Sequence, residues 1–200
     1  MELTGKTIGF GLTGSHCTYA EVQPQMEALM QAGARVVPIL SYTVQSTSTR
    51  FAEADEWVST IEKITGETAI KSIPEAEPLG PSKLLDCMLI APCTGNSLAK
   101  LANAMNESPV LMAAKSTLRN DRPVVVSIST NDGLGLNAMN IGKLLVTKNI
   151  FFVPFGQDDP WKKINSLVAR NELIIPTIEH ALEKKQIQPM IVEKWRDLQK

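Results

Sequence analysis

The distribution of apolar and polar residues along the chain predicts an alternation of strands and helices. Runs rich in β-branched residues are separated by segments with helical periodicity, an order typical of a parallel sheet with crossover helices. Most of these runs are continuously apolar, which indicates strands buried on both faces. The predicted fold is therefore α/β, a doubly wound, mostly parallel, Rossmann-like sheet of about six strands in the order 3-2-1-4-5-6, with helices on both faces. The predicted strands span residues 7–12, 35–40, 69–72, 87–91, 123–128 and 150–154.

Apolar residues recur at helical spacing between these strands. Val22, Met26 and Leu29 predict a helix that ends before Gly33, because glycine suits the position after a helix. Further helices are predicted over residues 51–64, 98–105, 113–118 and 178–200.

Length and composition favour one globular unit. The 200 residues, 44% of them hydrophobic, suffice for one domain with a full core and are too few for two ordinary ones. We expect a single domain over residues 1–200, with residues 160–200 as a C-terminal extension packed on it. The formal net charge of −1 gives no electrostatic reason to bind nucleic acid or an anionic membrane. The expected partner is a small molecule or another protein.

The sequence predicts neither a membrane span, nor a signal peptide, nor a metal site. No run reaches the roughly 20 apolar residues of a membrane span, and the N-terminus lacks a signal-peptide pattern, so a cytoplasmic location is expected. The cysteines are odd in number and form neither a zinc knuckle nor a C-x-x-C pair, which predicts reduced thiols. With only His16 and His180 as imidazole ligands, no metal site is predicted.

The most informative stretch is residues 88–104, in which an apolar strand runs through a small polar turn into a helix. Such a turn presents backbone N–H groups at the positive end of a helix dipole, where anions bind. Thr94, Asn96 and Ser97 add short polar side chains there. The same residues are equally compatible with a simple helix cap by Thr94 or Asn96.

Three other loops share this small, polar character. They contain residues 13–16, Ser41 and residues 127–131, and each follows a predicted strand, as residues 92–97 do. Because the carboxyl ends of parallel strands surround the ligand crevice of an open α/β sheet, we expect the four loops to converge.

Gly9, Gly11 and Gly14 match the dinucleotide motif G-x-G-x-x-G, yet two features disfavour that function. Gly9 falls inside the predicted strand, whereas the motif belongs after it. The second strand ends in Ser41 rather than in the acidic residue that holds a ribose hydroxyl.

Longer motifs identify a family resemblance. The chain resembles the flavin mononucleotide (FMN)-binding flavoproteins that include flavin-dependent cysteine decarboxylases and flavin prenyltransferases, over about residues 5–157. Residues 13–15, 33–41 and 91–104 carry it. By position, the resemblance implies FMN contacts at Gly14, Ser15, Ser41, Pro92, Thr94, Gly95, Asn96, Ser97, Ser129 and Thr130.

Residues 156–163 and 165–169 refine the resemblance within the family. They imply a flavoprotein-like B subunit of an oxidoreductase, inactive or weakly active without a separate A subunit that resembles nicotinamide-binding proteins and supplies NAD(P). The pair would oxidise a dihydropyridine dicarboxylate to pyridine-2,6-dicarboxylate in the mother cell of a sporulating bacterium. The family also implies a homo-oligomer.

Departures from the family pattern disfavour cysteine decarboxylation. Residues 73–86 contain no histidine, residues 128–131 keep only the asparagine of a Pro-Ala-Met-Asn loop, and no cysteine follows Cys93. Two alternatives stay open: an FMN-dependent decarboxylase or flavin prenyltransferase of the same family, and a non-catalytic protein that binds substrate or partner.

Two side chains are candidates for catalysis. In the family, the asparagine at the position of Asn96 reaches the reacting carboxylate, although Asn96 equally suits a role in fixing its own turn. His16 follows the first loop, where it could move a proton or be only a polar residue of the first helical turn.

Cysteine, lysine and arginine side chains are further candidates for the site. Cys17 and Cys93 are either crevice thiolates or buried, inert thiols. A dicarboxylate needs two cationic or amide-rich binding groups, for which Lys162, Lys163 and Arg119 are available, although lysines are usually only solvated.

Overall fold

The computed structural model describes residues 3–49 and 53–194. Its strands are β1 (Thr7–Leu12), β2 (Arg35–Leu40), β3 (Cys87–Cys93), β4 (Val124–Thr130), β5 (Ile150–Phe152), β6 (Phe155–Gly156) and β7 (Leu167–Ala169). Its α-helices are α1 (Tyr19–Gln31), α2 (Tyr42–Ser46), α3 (Ala54–Thr65), α4 (Ile73–Ala76), α5 (Leu79–Ser82), α6 (Gly95–Ala102), α7 (Pro109–Arg119), α8 (Asn137–Leu145) and α9 (Ile174–Leu182).

The sheet is parallel in the order β2-β1-β3-β4-β5, and this confirms the predicted α/β class. Every residue of β3 is buried, as a strand covered by helices on both faces must be. Helices α1 and α9 pack on each other and on the sheet, while α7 packs on β1 to β4 together with α4 and α5. The sheet order agrees closely with the prediction.

The strand predicted over residues 69–72 is reduced to one bridge between Ile39 and Ile70. The carboxylate of Glu75 accepts hydrogen bonds from the N–H groups of Lys71 (2.7 Å) and Ser72 (3.0 Å). Ser72 in turn caps α4 by accepting the Glu75 N–H. These bonds use the donors that a longer ladder requires, so the chain leaves the sheet.

Strand β4 has two partners on the same side. Its first residues pair with β5, whereas Ser129 and Thr130 pair with β7 in antiparallel register, and β7 pairs with β6. Neither β6 nor β7 was predicted, because strands of two or three residues leave almost no periodic signal. They extend the sheet beside the carboxyl end of β4.

The predicted helices require several corrections. The helices predicted over residues 98–105 and 113–118 are α6, which ends at Ala102, and α7, which begins at Pro109. Helix α3 begins at Ala54, and the Phe51 start lies outside the described residues. Helix α8 was not predicted. The helix predicted over residues 178–200 ends at Leu182 within α9, and Lys184 has a left-handed φ of 61°. Residues 195–200 lie outside the described part of the chain.

None of the helices in residues 3–49 and 53–194 combines the length and the apolar character needed to cross a membrane.

Candidate functional site

The loops after β1 and β3 are joined by the buried hydroxyl of Thr13. Its Oγ1 donates to the carbonyl of Pro92 (2.6 Å) and accepts from the N–H of Thr94 (3.0 Å). Tyr19 donates to the Thr13 carbonyl at 3.0 Å, and burial raises the pKa of the Tyr19 phenol well above its ordinary value. The first loop and the start of α6 are therefore held in fixed relation.

Helix α6 begins at Gly95, three residues before the predicted start at residue 98, and its cap is one of the two residues that the sequence offers. Thr94 is its N-cap, because Thr94 Oγ1 accepts the N–H of Ser97 at 3.2 Å and lies 3.0 Å from Ser97 Oγ. A helix leaves its other first-turn N–H groups without intrahelical acceptors. Capping by Thr94 and anion binding by the remaining amides are thus compatible.

A cavity of about 290 Å³, here the β2-side cavity, opens at this helix terminus. Ser41 Oγ is buried there and has no hydrogen-bond partner among the described residues. Lys100 also faces the cavity and pairs with Glu107. The lining residues are Gly14, Ser41, Tyr42, Thr43, Thr94, Asn96, Ser97, Lys100, Glu107, Ser108 and Leu111.

Two glycines permit close approaches around the crevice. A Cβ on Gly14 would lie 2.8 Å from Thr43 Cγ2, and one on Gly95 would lie 2.6 Å from Thr130 Oγ1. The lack of a side chain at Gly95 lets the start of α6 touch the loop after β4.

The first two glycines of the G-x-G-x-x-G motif have a different role. A Cβ on Gly9 would lie 2.6 Å from Leu85 Cδ1, and one on Gly11 would lie 2.6 Å from Met88 Cε. They sit within β1 and serve core packing, which agrees with the argument against a dinucleotide motif.

Three hydroxyl groups form a closed set between the first and fourth loops. Ser15 Oγ lies 2.8 Å from Ser129 Oγ and 3.1 Å from Thr18 Oγ1, and Thr18 lies 2.9 Å from Ser129. This contact brings two predicted cofactor-binding residues together from positions far apart in sequence. The three bonds use all three hydroxyl hydrogens, so while the set is intact each oxygen can only accept a further hydrogen bond.

Thr130 belongs to a second polar group around Asp132. Its hydroxyl donates to Asp132, which also accepts two hydrogen bonds of 2.9 Å from Asn137 Nδ2. The hydrogen bond from Thr130, and to a smaller extent that from Asn137, lowers the pKa of the Asp132 carboxyl below its ordinary value. The Thr130 hydrogen is directed to Asp132 and its oxygen accepts the Asp132 N–H at 3.4 Å, which leaves that oxygen one further acceptor position.

A second cavity of about 440 Å³, here the β4-side cavity, adjoins the first through Gly14 and Thr94. Two ion pairs contribute to its wall: Lys163 with Asp158, and Lys194 with Glu21. The lining residues are Gly14, Ser15, Cys17, Thr18, Glu21, Thr94, Gly95, Ser129, Thr130, Asn131, Asp158, Lys163, Val168 and Lys194.

The two cavities together form one crevice at the carboxyl ends of β1 to β4. A sequence model of the family described as Flavoprotein matches residues 1–175. This chain belongs to the Flavoprotein family.

The flavoprotein has relatives of high identity over nearly its whole length. It is 62% identical over 195 residues to the B subunit of dipicolinate synthase from Bacillus subtilis (strain 168), with 98% of each chain covered. The crystal structure of the dipicolinate synthase B subunit from Bacillus halodurans C is 60% identical, with a TM-score of 0.90 over 97% of this chain and 100% of that chain.

A more distant structure shares the fold. The crystal structure of the FMN-dependent cysteine decarboxylase SpaF is 16% identical, with a TM-score of 0.59 over 91% of this chain and 98% of that chain. At this identity the similarity concerns the fold alone.

The structure of the flavoprotein brings most of the predicted site residues together. Those on the two cavity walls are Gly14, Ser15, Ser41, Thr94, Gly95, Asn96, Ser97, Ser129 and Thr130. Pro92 is buried behind them and contributes its carbonyl to Thr13. Asn96 lies exposed on the β2-side cavity, a place that suits holding a cofactor, and its catalytic role stays a prediction.

His16 is adjacent to Gly14, on which a Cβ would lie 3.9 Å from His16 Nε2, but His16 lines neither crevice cavity. Its ring packs on Tyr19 with 4.9 Å between ring centroids, and Tyr19 stacks on Trp57. Burial lowers the pKa of His16 below its ordinary value. His16 lines a separate small pocket rather than either crevice cavity, so the geometry lends no support to its predicted catalytic role.

Of the other candidate side chains, two line the β4-side cavity and three do not. Cys17 is exposed and lines the β4-side cavity, whereas Cys93 is fully buried, and burial raises the pKa of its thiol to about 12. Lys163 lines the cavity; Lys162 and Arg119 line neither of the two.

Sequence reasoning missed several cavity residues. Glu21 is on α1, and Lys194 lies within residues 178–200, which were predicted to be helical, so neither stands in a strand-end loop. Asp158 follows β6, within a family motif that gave it no role of its own. Within residues 3–49 and 53–194, no three His, Cys, Asp or Glu side chains are grouped so that they could hold a metal ion.

Proposed function

We propose that this flavoprotein is the B subunit of a dipicolinate synthase. It acts with an A subunit to oxidise a dihydrodipicolinate-type precursor to pyridine-2,6-dicarboxylate, in the mother cell during sporulation. The observation that carries the proposal is the 62% identity, over 98% of both chains, with the B subunit of that enzyme. Since this chain would be one part of a two-subunit enzyme, little turnover is expected from it alone.

The crevice fits FMN as the cofactor. A phosphate in the β2-side cavity would meet the unpartnered hydroxyl of Ser41, the first-turn amides of α6 and the cation of Lys100. Buried polar atoms without a partner cost free energy, which a ligand that accepts the Ser41 hydrogen would recover. Asn96 and Ser97 supply further polar contacts on the same wall.

The β4-side cavity suits the flavin ring and the substrate. Ser15 and Ser129 present hydroxyl groups there, and Thr130 presents an acceptor oriented by Asp132. When bound, FMN supplies a two-electron acceptor. NAD(P) bound to the A subunit is the alternative two-electron acceptor.

The reaction removes a hydride and a proton from the dihydropyridine ring, and aromatisation drives it. The role of this chain's residues is to hold the dicarboxylate and to exclude water from the crevice. A homo-oligomer and a cytoplasmic location belong to the same proposal.

The first experiment is a titration of the purified chain with FMN, followed by absorption, with and without the A subunit. Saturable binding near one flavin per chain is expected. Ser41→Ala and Asn96→Ala should each weaken it about 10- to 100-fold, since hydrogen bonds to charged groups contribute about 1.5–3 kcal/mol. Ser59→Ala, an exposed serine on α3, is the matched control. A lack of binding under both conditions would remove FMN from the proposal.

The second experiment measures dipicolinate formation by the two subunits together and by each alone. Full turnover by either of them alone would refute the proposed division of labour. Undiminished turnover of the pair with Ser15→Ala and Asn96→Ala would instead favour a non-catalytic role in binding substrate or partner.

A further inference from the structure

We propose that the end of the described chain carries Lys194 into the β4-side cavity as a strap, and that Lys194 and Lys163 together bind the two carboxylates of an aromatic dicarboxylate. The strap is defined as residues 190–194. The identity of the dicarboxylate rests on the proposed function, whereas the two-cation site rests on the contacts that follow.

The strap is fixed to the sheet by backbone hydrogen bonds. The N–H of Phe155 donates to the Met190 carbonyl and the N–H of Val192 donates to the Phe155 carbonyl, both at 3.0 Å. Arg170 donates to the carbonyl of Glu193. The strap thus lies along β6 in parallel register and places Lys194 beside the crevice.

Gly156 allows the strap to lie this close. A Cβ on Gly156 would stand 1.9 Å from the carbonyl oxygen of Val192, a distance that two such atoms cannot adopt. Any side chain at this position therefore requires the strap to move. The close approach ties the position of Lys194 to a single residue of β6.

Lys194 is unusually sheltered for a lysine. Its side chain is 13% exposed, and its Nζ lies 3.3 Å from Glu21 Oε2. Lysine is almost never buried unless it is paired. Glu21 also accepts a hydrogen bond of 3.1 Å from Asn171 Nδ2, so it keeps a donor if Lys194 turns toward a ligand.

Lys163, from another segment, is half exposed but is also paired with a carboxylate. Its Nζ lies 3.1 Å from Asp158, and Asp158 also accepts the hydroxyl of Ser166. The loop holds its shape because the N–H of Lys163 donates to the Asp159 carbonyl at 2.8 Å. An ammonium group has three N–H donors, so one bond to Asp158 does not prevent a second to a ligand.

The two lysines suit a ligand with two acidic groups. Each comes from a different chain segment and faces the same cavity of about 440 Å³, whose wall includes hydroxyl groups. The nearby carboxylates of Glu21 and Asp158 balance the two cations when no ligand is bound. This balance favours moderate affinity and allows a charged product to leave.

The test compares binding of pyridine-2,6-dicarboxylate with that of pyridine-2-carboxylate to the full chain by calorimetry. The wild type should prefer the dicarboxylate. Lys163→Met and Lys194→Met should each weaken dicarboxylate binding about 10- to 100-fold, the effect of losing a charged hydrogen bond, and should change monocarboxylate binding less. Lys162→Met, an exposed neighbour that lines neither crevice cavity, is the control.

A variant of β6 tests the position of Lys194 without removing its charge. Gly156→Ala displaces the strap, so its dicarboxylate affinity should fall as in Lys194→Met, while FMN binding should fall less, because the FMN phosphate is held in the β2-side cavity. Hydrogen exchange at residues 190–194 reports the displacement. A displaced strap with unchanged dicarboxylate affinity would overturn the inference.

The outcomes distinguish this inference from the proposed function. Equal wild-type affinity for both ligands, or wild-type behaviour of both lysine variants, overturns the two-cation site even if the two subunits turn over normally. Lysine-dependent dicarboxylate binding without any turnover with the A subunit supports the site and refutes the proposed function.

Discussion

Replacement of Thr13 by valine tests the link between the first loop and α6. Valine keeps the shape of threonine but removes the hydroxyl that bonds the Pro92 carbonyl at 2.6 Å and the Thr94 N–H at 3.0 Å. The Pro92 carbonyl loses this partner at a buried position and the Thr94 N–H loses it at a partly buried one; an unsatisfied buried group costs about 1–3 kcal/mol, and a partly buried one costs less. We expect the free energy of unfolding to fall by about 2–4 kcal/mol.

Urea denaturation measures this change. The midpoint should fall while the slope m stays constant, since the folded state remains compact. Thr60→Val, which removes a hydroxyl bonded to the Glu56 carbonyl on the surface of α3, is the control and should change stability by less than about 0.5 kcal/mol. A loss for Thr13→Val no larger than that of the control would refute the reasoning. At a temperature where both proteins are folded, Thr13→Val should also bind FMN more weakly, because the start of α6 is no longer fixed.

Three further predictions concern single residues. Gly95→Ala should destabilise the fold by about 1–3 kcal/mol through overpacking, because its Cβ would lie 2.6 Å from Thr130 Oγ1; thermal unfolding measures this. Burial lowers the pKa of His16, so the unfolded chain binds its proton more readily, and stability should decline as pH falls below about 6.5. His16→Gln should reduce that decline. A variant with the same pH dependence of stability as the wild type would show that His16 is not its cause. Iodoacetamide at mild alkaline pH should label exposed Cys17 and spare buried Cys93, whose pKa is about 12, and mass spectrometry of the native protein would detect any reversal.

The parallel core was predictable because strands buried on both faces have continuous apolar sequences. Residues 87–91 illustrate this, since all are buried in β3. The run at residues 69–72 is apolar only at Ala69 and Ile70, and the side chain of Glu75 takes the next two backbone donors. Helix α8 was missed because Gly133 and Gly135 stand just before it and Gly142 stands within it, so the segment resembles a loop.

The candidate site was predictable only where it follows strand ends. Ser41, Thr94 and Ser129 could be placed on one crevice because a parallel sheet gathers the carboxyl ends of its strands. Lys194 could not, since its position depends on pairing between the strap and β6, which no local pattern encodes. His16 was predicted to belong to the site because it follows residues 13–15 in sequence, yet its ring packs against Tyr19.

The split pairing of β4 has a consequence for synthesis of the chain on the ribosome. The parallel sheet is complete once Phe152 has emerged, whereas the residues that flank the carboxyl end of β4 arrive only with β7 at Leu167–Ala169. The strap follows later still. A nascent chain can therefore bury much of its core, and form the β2-side cavity, before the β4-side cavity is complete, so a ligand of the β4-side cavity must wait for β7 and the strap.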